Sequence, residues 1–182
     1  MNAESDSELI GKASAGDARA FETLVNRHYA AMFKMAFKWC RNRADAEDIT
    51  QNVCIKLVQA LKTYEHKAAF TSWLYRLVIN TAIDMQRTQK RHNHVQVQID
   101  EIPGGDNPET ALHAREMMQQ VGLLPTKEKT ALLLVFGEGM NHAEAAYVMD
   151  DKESTVSWYI HEARKKLEKF ENTYKSGERH HG

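Results

Sequence analysis

The sequence predicts an all-α protein built as two small helical domains joined by a flexible acidic linker. Three observations carry that reading. Long stretches place apolar residues at spacings of three and four, the period of a helix with one buried face. Only three prolines and nine glycines interrupt a chain of 182 residues. Residues from His92 to about Asn107 lose the helical period, contain Pro103-Gly104-Gly105 and carry Asp100, Glu101 and Asp106 with no Lys or Arg, which marks a domain boundary.

Composition narrows the class. Hydrophobic residues make up 42% and charged residues 27%, the balance of a soluble globular chain rather than a disordered tail. A formal net charge of −1 gives no global attraction to nucleic acid, so any such contact must come from local patches. One is visible: Arg76, Arg87, Lys90 and Arg91 precede the acidic linker closely. The opening segment MNAESDSELIGK is acidic and polar, unlike a secretory signal, and no apolar run nears the roughly 20 residues that span a bilayer. A cytoplasmic location without membrane insertion is expected. Cys40 and Cys54 are too few for a disulfide framework and read as small core residues, with a redox role as a remote alternative.

The first domain, residues 1–91, opens with a helix from about Ser7 to Ala15, broken at Gly16-Asp17. A second helix runs from Ala18 to about Cys40 and keeps Phe21, Leu24, Val25, Tyr29, Met32, Phe33, Ala36 and Phe37 to one side. Arg41-Asn42-Arg43 ends it. The next helix has Asp45, Glu47 and Asp48 in its first turn, where the helix dipole favours carboxylates, and a buried stripe of Ile49, Val53, Leu57, Val58 and Leu61. Asp45, Asp48, Gln51 and Asn52 fall on its opposite face, either as a solvated surface or as a docking surface.

From Thr63 to Arg91 the chain is densest in aromatic and basic groups. Tyr64, Phe70, Trp73 and Tyr75 offer flat faces to an unstacked base, and Arg76, Arg87, Lys90 and Arg91 offer charge to phosphates. A helix from about Thr71 to Lys90 is expected to bury Leu74, Leu77, Val78, Ala82 and Met85. Arg76, Asn80, Asp84 and Arg87 then form one row, suited either to a duplex or to ion pairs that hold the helix in place. In the linker, Val95, Val97 and Ile99 alternate briefly, and His92-x-His94 offers two imidazoles without further ligands at matching spacing.

The second domain, residues 109–175, begins with a helix from Pro108-Glu109-Thr110 to about Val121, followed by one starting after Pro125 and ending before Gly137 and Gly139. Asn141 and Glu144 form a capping box for a short helix to about Met149. After a polar turn from Asp150 to Glu153, the last helix buries Val156, Ile160, Ala163, Leu167 and Phe170 and presents Ser154, Ser157, Trp158, His161, Arg164 and Lys165. Two helices joined by a four-residue turn, the second with a polar and basic face, signal a helix-turn-helix. Residues 176–182 read as a disordered tail.

Taken together, GDARAFETLVNRHYAAM (Gly16 to Met32), ADAEDITQNV (Ala44 to Val53), FTSWLYRLVINTAIDMQR (Phe70 to Arg87), LLPTKEKTALLL (Leu123 to Leu134) and STVSWYIHEARKKL (Ser154 to Leu167) resemble the bacterial extracytoplasmic-function sigma factors of the sigma-70 family. The resemblance covers nearly the whole chain. It implies a factor with no catalytic residue, cofactor or metal of its own, which directs core RNA polymerase to promoters. The first domain corresponds to region 2 and the second to region 4.

By the same resemblance, Asp45, Glu47, Asp48, Gln51 and Asn52 grip the clamp of the polymerase's largest subunit, and the flap of the second largest is a further contact. The loop with Lys62, Tyr64, Lys67 and Phe70, continued by Ser72 and Trp73, captures a base flipped from the minus-ten element; Arg76, Asn80 and Arg87 lie along its upstream edge. Primary sigma factors carry two adjacent tryptophans where this chain has Trp73-Leu74, so weaker intrinsic melting and stricter promoter choice are expected. The acidic linker threads toward the active-site and RNA-exit channels. Lys152, Ser154, Thr155, Ser157, Trp158, His161, Glu162, Arg164 and Lys165 meet the minus-thirty-five duplex. Ser157 and Glu162 stand where the family carries bases, and Asp151 where it carries an apolar residue. An anti-sigma factor is an expected partner. The competing readings are a polymerase-independent helix-turn-helix regulator, which leaves the acidic face and aromatic loop without a role, and a metal enzyme, which the scattered histidines disfavour.

Overall fold

The structure, a computed structural model, describes residues 4–91 and 108–178. The expectations for His92 and His94, for Val95, Val97 and Ile99, and for the acidic linker lie outside the described residues. What is described is helical throughout and falls into two compact units, one on each side of that linker.

The first unit holds α1 (Asp6–Ser14), α2 (Ala18–Cys40), α3 (Arg43–Ala60), a 3-10 turn (Leu61–Thr63) and α4 (Phe70–Arg91). Local chemistry sets each boundary. Ser5 and Glu8 form a reciprocal capping box at α1. Gly16, at φ 99, turns the chain, and Asp17 then accepts from the Arg19 and Ala20 amides to start α2. Arg41 closes α2 in the left-handed conformation, and Asn42 caps α3 through the Asp45 amide.

Helix α2 is the hub, lying against α1, α3 and α4. Leu9, Leu24, Met32, Met35, Ile49, Val53, Leu57, Leu74, Val78 and Ile79 fill the interior between them. The predicted stripes are corrected at their margins. Val58 is 49% exposed, because it sits one residue beyond Leu57 and is rotated away from the stripe of Ile49, Val53 and Leu57. Leu77 and Met85 are half-buried, while Ile79 and Thr81, not assigned inward from the sequence, are fully enclosed. Cys40 and Cys54 are half-buried and not joined in a disulfide, Cys40 Sγ donates to the Asn42 carbonyl at 3.2 Å, and burial pushes the Cys54 thiol above its ordinary pKa, away from reactivity.

A polar cluster fastens α1 to α2. Asp6 accepts from Arg27 Nη1 at 2.6 Å and from His28 Nε2 at 2.8 Å. Burial pushes the Asp6 carboxyl up, but hydrogen bonds and charge from Arg27 and His28 outweigh it and hold the group below the ordinary 3.8. Stability from such a lowered carboxylate is complete above its unfolded pKa and lost as pH falls through the folded one. Asp6→Asn is therefore expected to lower the melting temperature near neutrality, with mutant and wild-type melts converging once the pH has fallen below the lowered range of this carboxyl. Equal differences at both pH values would show that the carboxylate charge contributes nothing.

The second unit holds α5 (Pro108–Leu123), α6 (Thr126–Leu132), a π-helical turn (Leu133–Gly137), α7 (His142–Met149) and α8 (Glu153–Glu178). Pro125 starts α6 and the Asn141–Glu144 capping box starts α7, as their chemistry predicts. The π turn was not foreseen; the Glu138 amide reaches back to the Leu133 carbonyl at 3.1 Å, and Gly139, at φ 70, releases the chain. Val156, Ile160 and Ala163 of α8 are buried, whereas Leu167 and Phe170 are half-buried where the unit thins out. Helix α8 runs past the predicted domain end, so 176–178 are helical and only 179–182 lie beyond description. Glu128, 5% exposed, accepts from Lys166 of α8 at 2.5 and 2.7 Å, so a buried carboxylate on α6 is neutralised from the opposite helix.

Candidate polymerase and nucleic-acid interfaces

The acidic and amide residues of α3 divide by environment. Asp48, Gln51 and Asn52 are exposed. Asp45 is half-buried and accepts from Gln89 Nε2 at 3.1 Å, which ties the start of α3 to the end of α4. Glu47 pairs with Arg43 at 3.0 Å on its own helix. Sequence reasoning missed the apolar part of this face: Ile55 is 71% exposed and, with Val58, continues the row from Asp48 and Gln51 at spacings of three and four. The signal was present as apolar residues out of phase with the buried stripe. An open row that runs from a carboxylate and amides into an isoleucine and a valine has the composition of a protein contact more than of a solvated face.

The loop between the 3-10 turn and α4 is an aromatic cluster whose members face one another. Phe70 stacks on Trp73 with centroids 5.6 Å apart and planes at 25°, and Tyr64 meets Phe70 edge-on at 5.5 Å and Trp73 at 5.1 Å. Tyr64 Oη donates to the Ala68 carbonyl at 2.7 Å and so closes the loop on itself. This corrects the expectation of four open faces. Phe70 and Tyr75 are each only 8% exposed and Ser72 is 7% exposed, and Phe70 is covered from α2 by the His28 ring. Tyr64 and Trp73 are half-buried and keep part of their surface open. His66, exposed and at φ 55, tilts against Tyr64 at 4.5 Å and adds a ring that sequence reasoning left out. Lys62 and Lys67 are exposed, Lys67 paired with Glu65, whose carboxyl that ammonium holds below its ordinary range.

Along α4, Asn80, Asp84 and Arg87 are exposed in one row and Arg76 is half-buried. Asp84 lies 3.9 Å from Lys56, which also donates to Thr81 Oγ1 at 3.2 Å. Of the two sequence alternatives for this row, the ion-pair one fits Asp84, and Asn80 and Arg87 stay open to solvent.

In the second unit α7 and α8 are joined by a short turn through Asp150, at φ 55, the connection length expected of a helix-turn-helix. Asp151 accepts from Lys127 Nζ at 2.8 Å, and the same ammonium donates to the Met149 carbonyl at 3.2 Å. The aspartate is thus the partner of a lysine that caps the end of α7, a reason invisible from the turn alone. Lys152 just ahead of α8, and Ser154, Trp158, His161, Arg164 and Lys165 on it, are exposed, while Thr155, Ser157 and Glu162 are half-buried. Ser157 Oγ donates to the Glu153 carbonyl at 3.1 Å and accepts from His142 Nδ1 at 2.7 Å, so its hydroxyl braces α7 against α8. The Arg164 guanidinium lies over Phe136 of the π turn at 4.8 Å, and Trp158 tilts against Tyr159 at 5.4 Å.

Residues 24–92 match the Sigma-70 region 2 family and residues 114–167 match Sigma-70 region 4. The RNA polymerase sigma-H factor of Pseudomonas aeruginosa is 30% identical, the alignment covering 93% of this chain and 95% of that protein. The chain is a sigma-70 family factor of the extracytoplasmic-function group. The sigma factor SigM of Mycobacterium tuberculosis is 29% identical over 90% of this chain and 83% of its own. The solved structure of CnrH in complex with the cytosolic domain of CnrY superposes with a TM-score of 0.68 at 25% identity, covering 93% of this chain and 99% of that one.

A sigma factor is an adaptor without catalytic activity: it binds core RNA polymerase and directs it to promoters. Among the described residues no group of three or more His, Cys, Asp or Glu is placed to hold a metal ion, and no helix is long and apolar enough to cross a membrane. The region 2 match of this sigma factor takes in the α3 face, the aromatic loop and the α4 row, and the region 4 match takes in α6, α7 and the exposed part of α8. Helix α1 lies ahead of both.

Proposed function

We propose that the α3 row Asp48, Gln51, Asn52, Ile55 and Val58 docks on the clamp of the polymerase's largest subunit, and that the loop 62–73 captures an unstacked base of the minus-ten element. The observation that carries this reading is the joining, in one small unit, of an open acidic and apolar row to a loop whose remaining open faces are aromatic. Flipping a base costs a few kcal/mol, and stacking on an aromatic returns about 1 to 3 kcal/mol, so partial faces of Tyr64, His66 and Trp73 suffice to trap a base that has already left the helix. Asn80 and Arg87 lie along the duplex edge upstream. Helix α8 meets the minus-thirty-five duplex through Lys152, Ser154, Trp158, His161, Arg164 and Lys165, and the second unit meets the polymerase flap.

Half-buried Ser157 and Glu162 bring no positive charge to that duplex, so region 4 gains less from phosphates than a helix with bases there. Run-off transcription with purified core polymerase tests the whole. A promoter-dependent transcript is expected, and Trp158→Ala with Lys165→Ala should lower it about tenfold on a promoter with both elements, consistent with 1 to 3 kcal/mol for a base contact plus a phosphate contact. An unchanged transcript would remove α8 from promoter binding. An inhibitory protein partner is the expected control, since CnrH is held by the cytosolic domain of CnrY.

A further inference from the structure

Helix α1 is linked to the frame of the capture loop from both of its ends. At the near end Ser14 Oγ donates to the carbonyl of Leu61, the first residue of the 3-10 turn, at 3.3 Å. At the far end the link passes through α2. An ionised Asp6 only accepts, so His28 Nε2 carries the proton of their 2.8 Å bond and the imidazole is fixed in orientation. That ring stands edge-on to Phe70, with centroids 5.1 Å apart and planes at 75°. Phe70 is the buried base of the cluster on which Trp73 stacks and against which Tyr64 rests. Asp6 is itself held by Arg27, whose Nη2 also donates to the Glu4 carbonyl at 2.9 Å.

Residues 65, 66 and 67, between the 3-10 turn and α4, are exposed, and the ties seen inside the loop are local ones, among them the Tyr64 hydroxyl to the Ala68 carbonyl and the Lys67–Glu65 ion pair. Segments with so few buried contacts open locally at small cost, and a platform that must be ordered during binding captures its base less well.

We propose that α1 is a clamp on the capture loop, with Asp6 and His28 as positioning residues that act through Phe70; the proposal rests on the assignment of base capture to this loop. A helix outside the region 2 match thereby takes part in promoter opening without touching DNA.

The test uses the full chain carrying Asp6→Ala, His28→Ala or Asp6→Asn, with three readouts: hydrogen exchange of the free protein, affinity for core polymerase, and permanganate reactivity of promoter thymines. Amides of 61–70 should exchange about tenfold faster in Asp6→Ala and His28→Ala, with α3 and the second unit unchanged. Promoter opening should fall several-fold while core affinity stays within about twofold. Asp6→Asn, which keeps an acceptor for His28, should restore most of the loop protection. Unchanged loop exchange in the surface variant Asp6→Ala overturns the clamp, whatever happens to opening. Faster exchange with normal opening overturns the functional half of the proposal. Trp73→Ala, which leaves the Tyr64 hydroxyl on the Ala68 carbonyl, then separates the two failures: if that variant opens promoters poorly while its loop exchange stays at the wild-type rate, base capture stands and only the clamp falls, and if it opens them normally, the loop assignment falls too.

Discussion

Replacing Tyr64 and Trp73 together with alanine is expected to lower promoter opening by about tenfold to a hundredfold, the equivalent of losing 1 to 3 kcal/mol of base stacking. Core binding and closed-complex formation should be retained, because neither residue lies on the α3 row or on α8. Permanganate modification of unpaired thymines reads the open state directly. Persistent reactivity at wild-type levels would remove the loop from base capture. The choice of residues matters. Phe70 looked equally suitable in the sequence, but it is the buried member of the cluster, and Phe70→Ala would leave a cavity costing about 3 to 5 kcal/mol. A loss of opening in that variant would report a collapsed loop rather than a lost contact. Trp73→Phe is the useful control, since it preserves a ring against Phe70.

The second large effect is expected at the polymerase. Asp48→Ala, Gln51→Ala and Ile55→Ala combined should weaken core affinity by about a hundredfold, as a few well-placed residues dominate most protein contacts at about 1 to 2 kcal/mol each. The melting curve should hardly move, because changes at exposed positions seldom exceed about 0.5 kcal/mol. Titration of labelled factor with core polymerase measures the affinity. Adding Asp48→Ala alone should also flatten its salt dependence, while Ile55→Ala alone should not. If the triple variant binds as the wild type does, docking uses another face.

Much of the fold was legible because it is written locally. Asp17 after Gly16, Asn141 with Glu144, and Pro125 each satisfy or remove backbone groups within a few residues, so their positions fix helix ends regardless of what packs outside. The stripes of α3 and α8 were largely legible through their period, but on α2 only Leu24, Met32 and Ala36 of the expected set are buried, Tyr29 is exposed, and Met35 and Trp39 lie inside instead. What failed depended on partners distant in the chain. Val58 looked like core from its neighbours, and only the packing of α3 on α2 and α4 shows that the stripe passes one residue to its side. Tyr64, Phe70, Trp73 and Tyr75 were correctly grouped, yet their division into inner and outer rings depends on His28, more than thirty residues earlier than any of them. Asp151 looked like a departure from its family because Lys127, its partner, lies two helices upstream. The π turn left no trace in the pattern, since five residues in that geometry do not disturb an apolar run.

The pair Glu128 and Lys166 bears on how far this protein can be re-engineered. The simplest redesign exchanges α8 alone for the corresponding helix of another factor. Here the carboxylate that α8 neutralises sits on α6, almost out of reach of water. A grafted helix lacking a cation at position 166 would strand it, and the chimera would lose its fold before its new specificity could be read. Any transplant must therefore carry the lysine along or replace Glu128 in the same step, so α6 and α8 have to be exchanged as a matched pair.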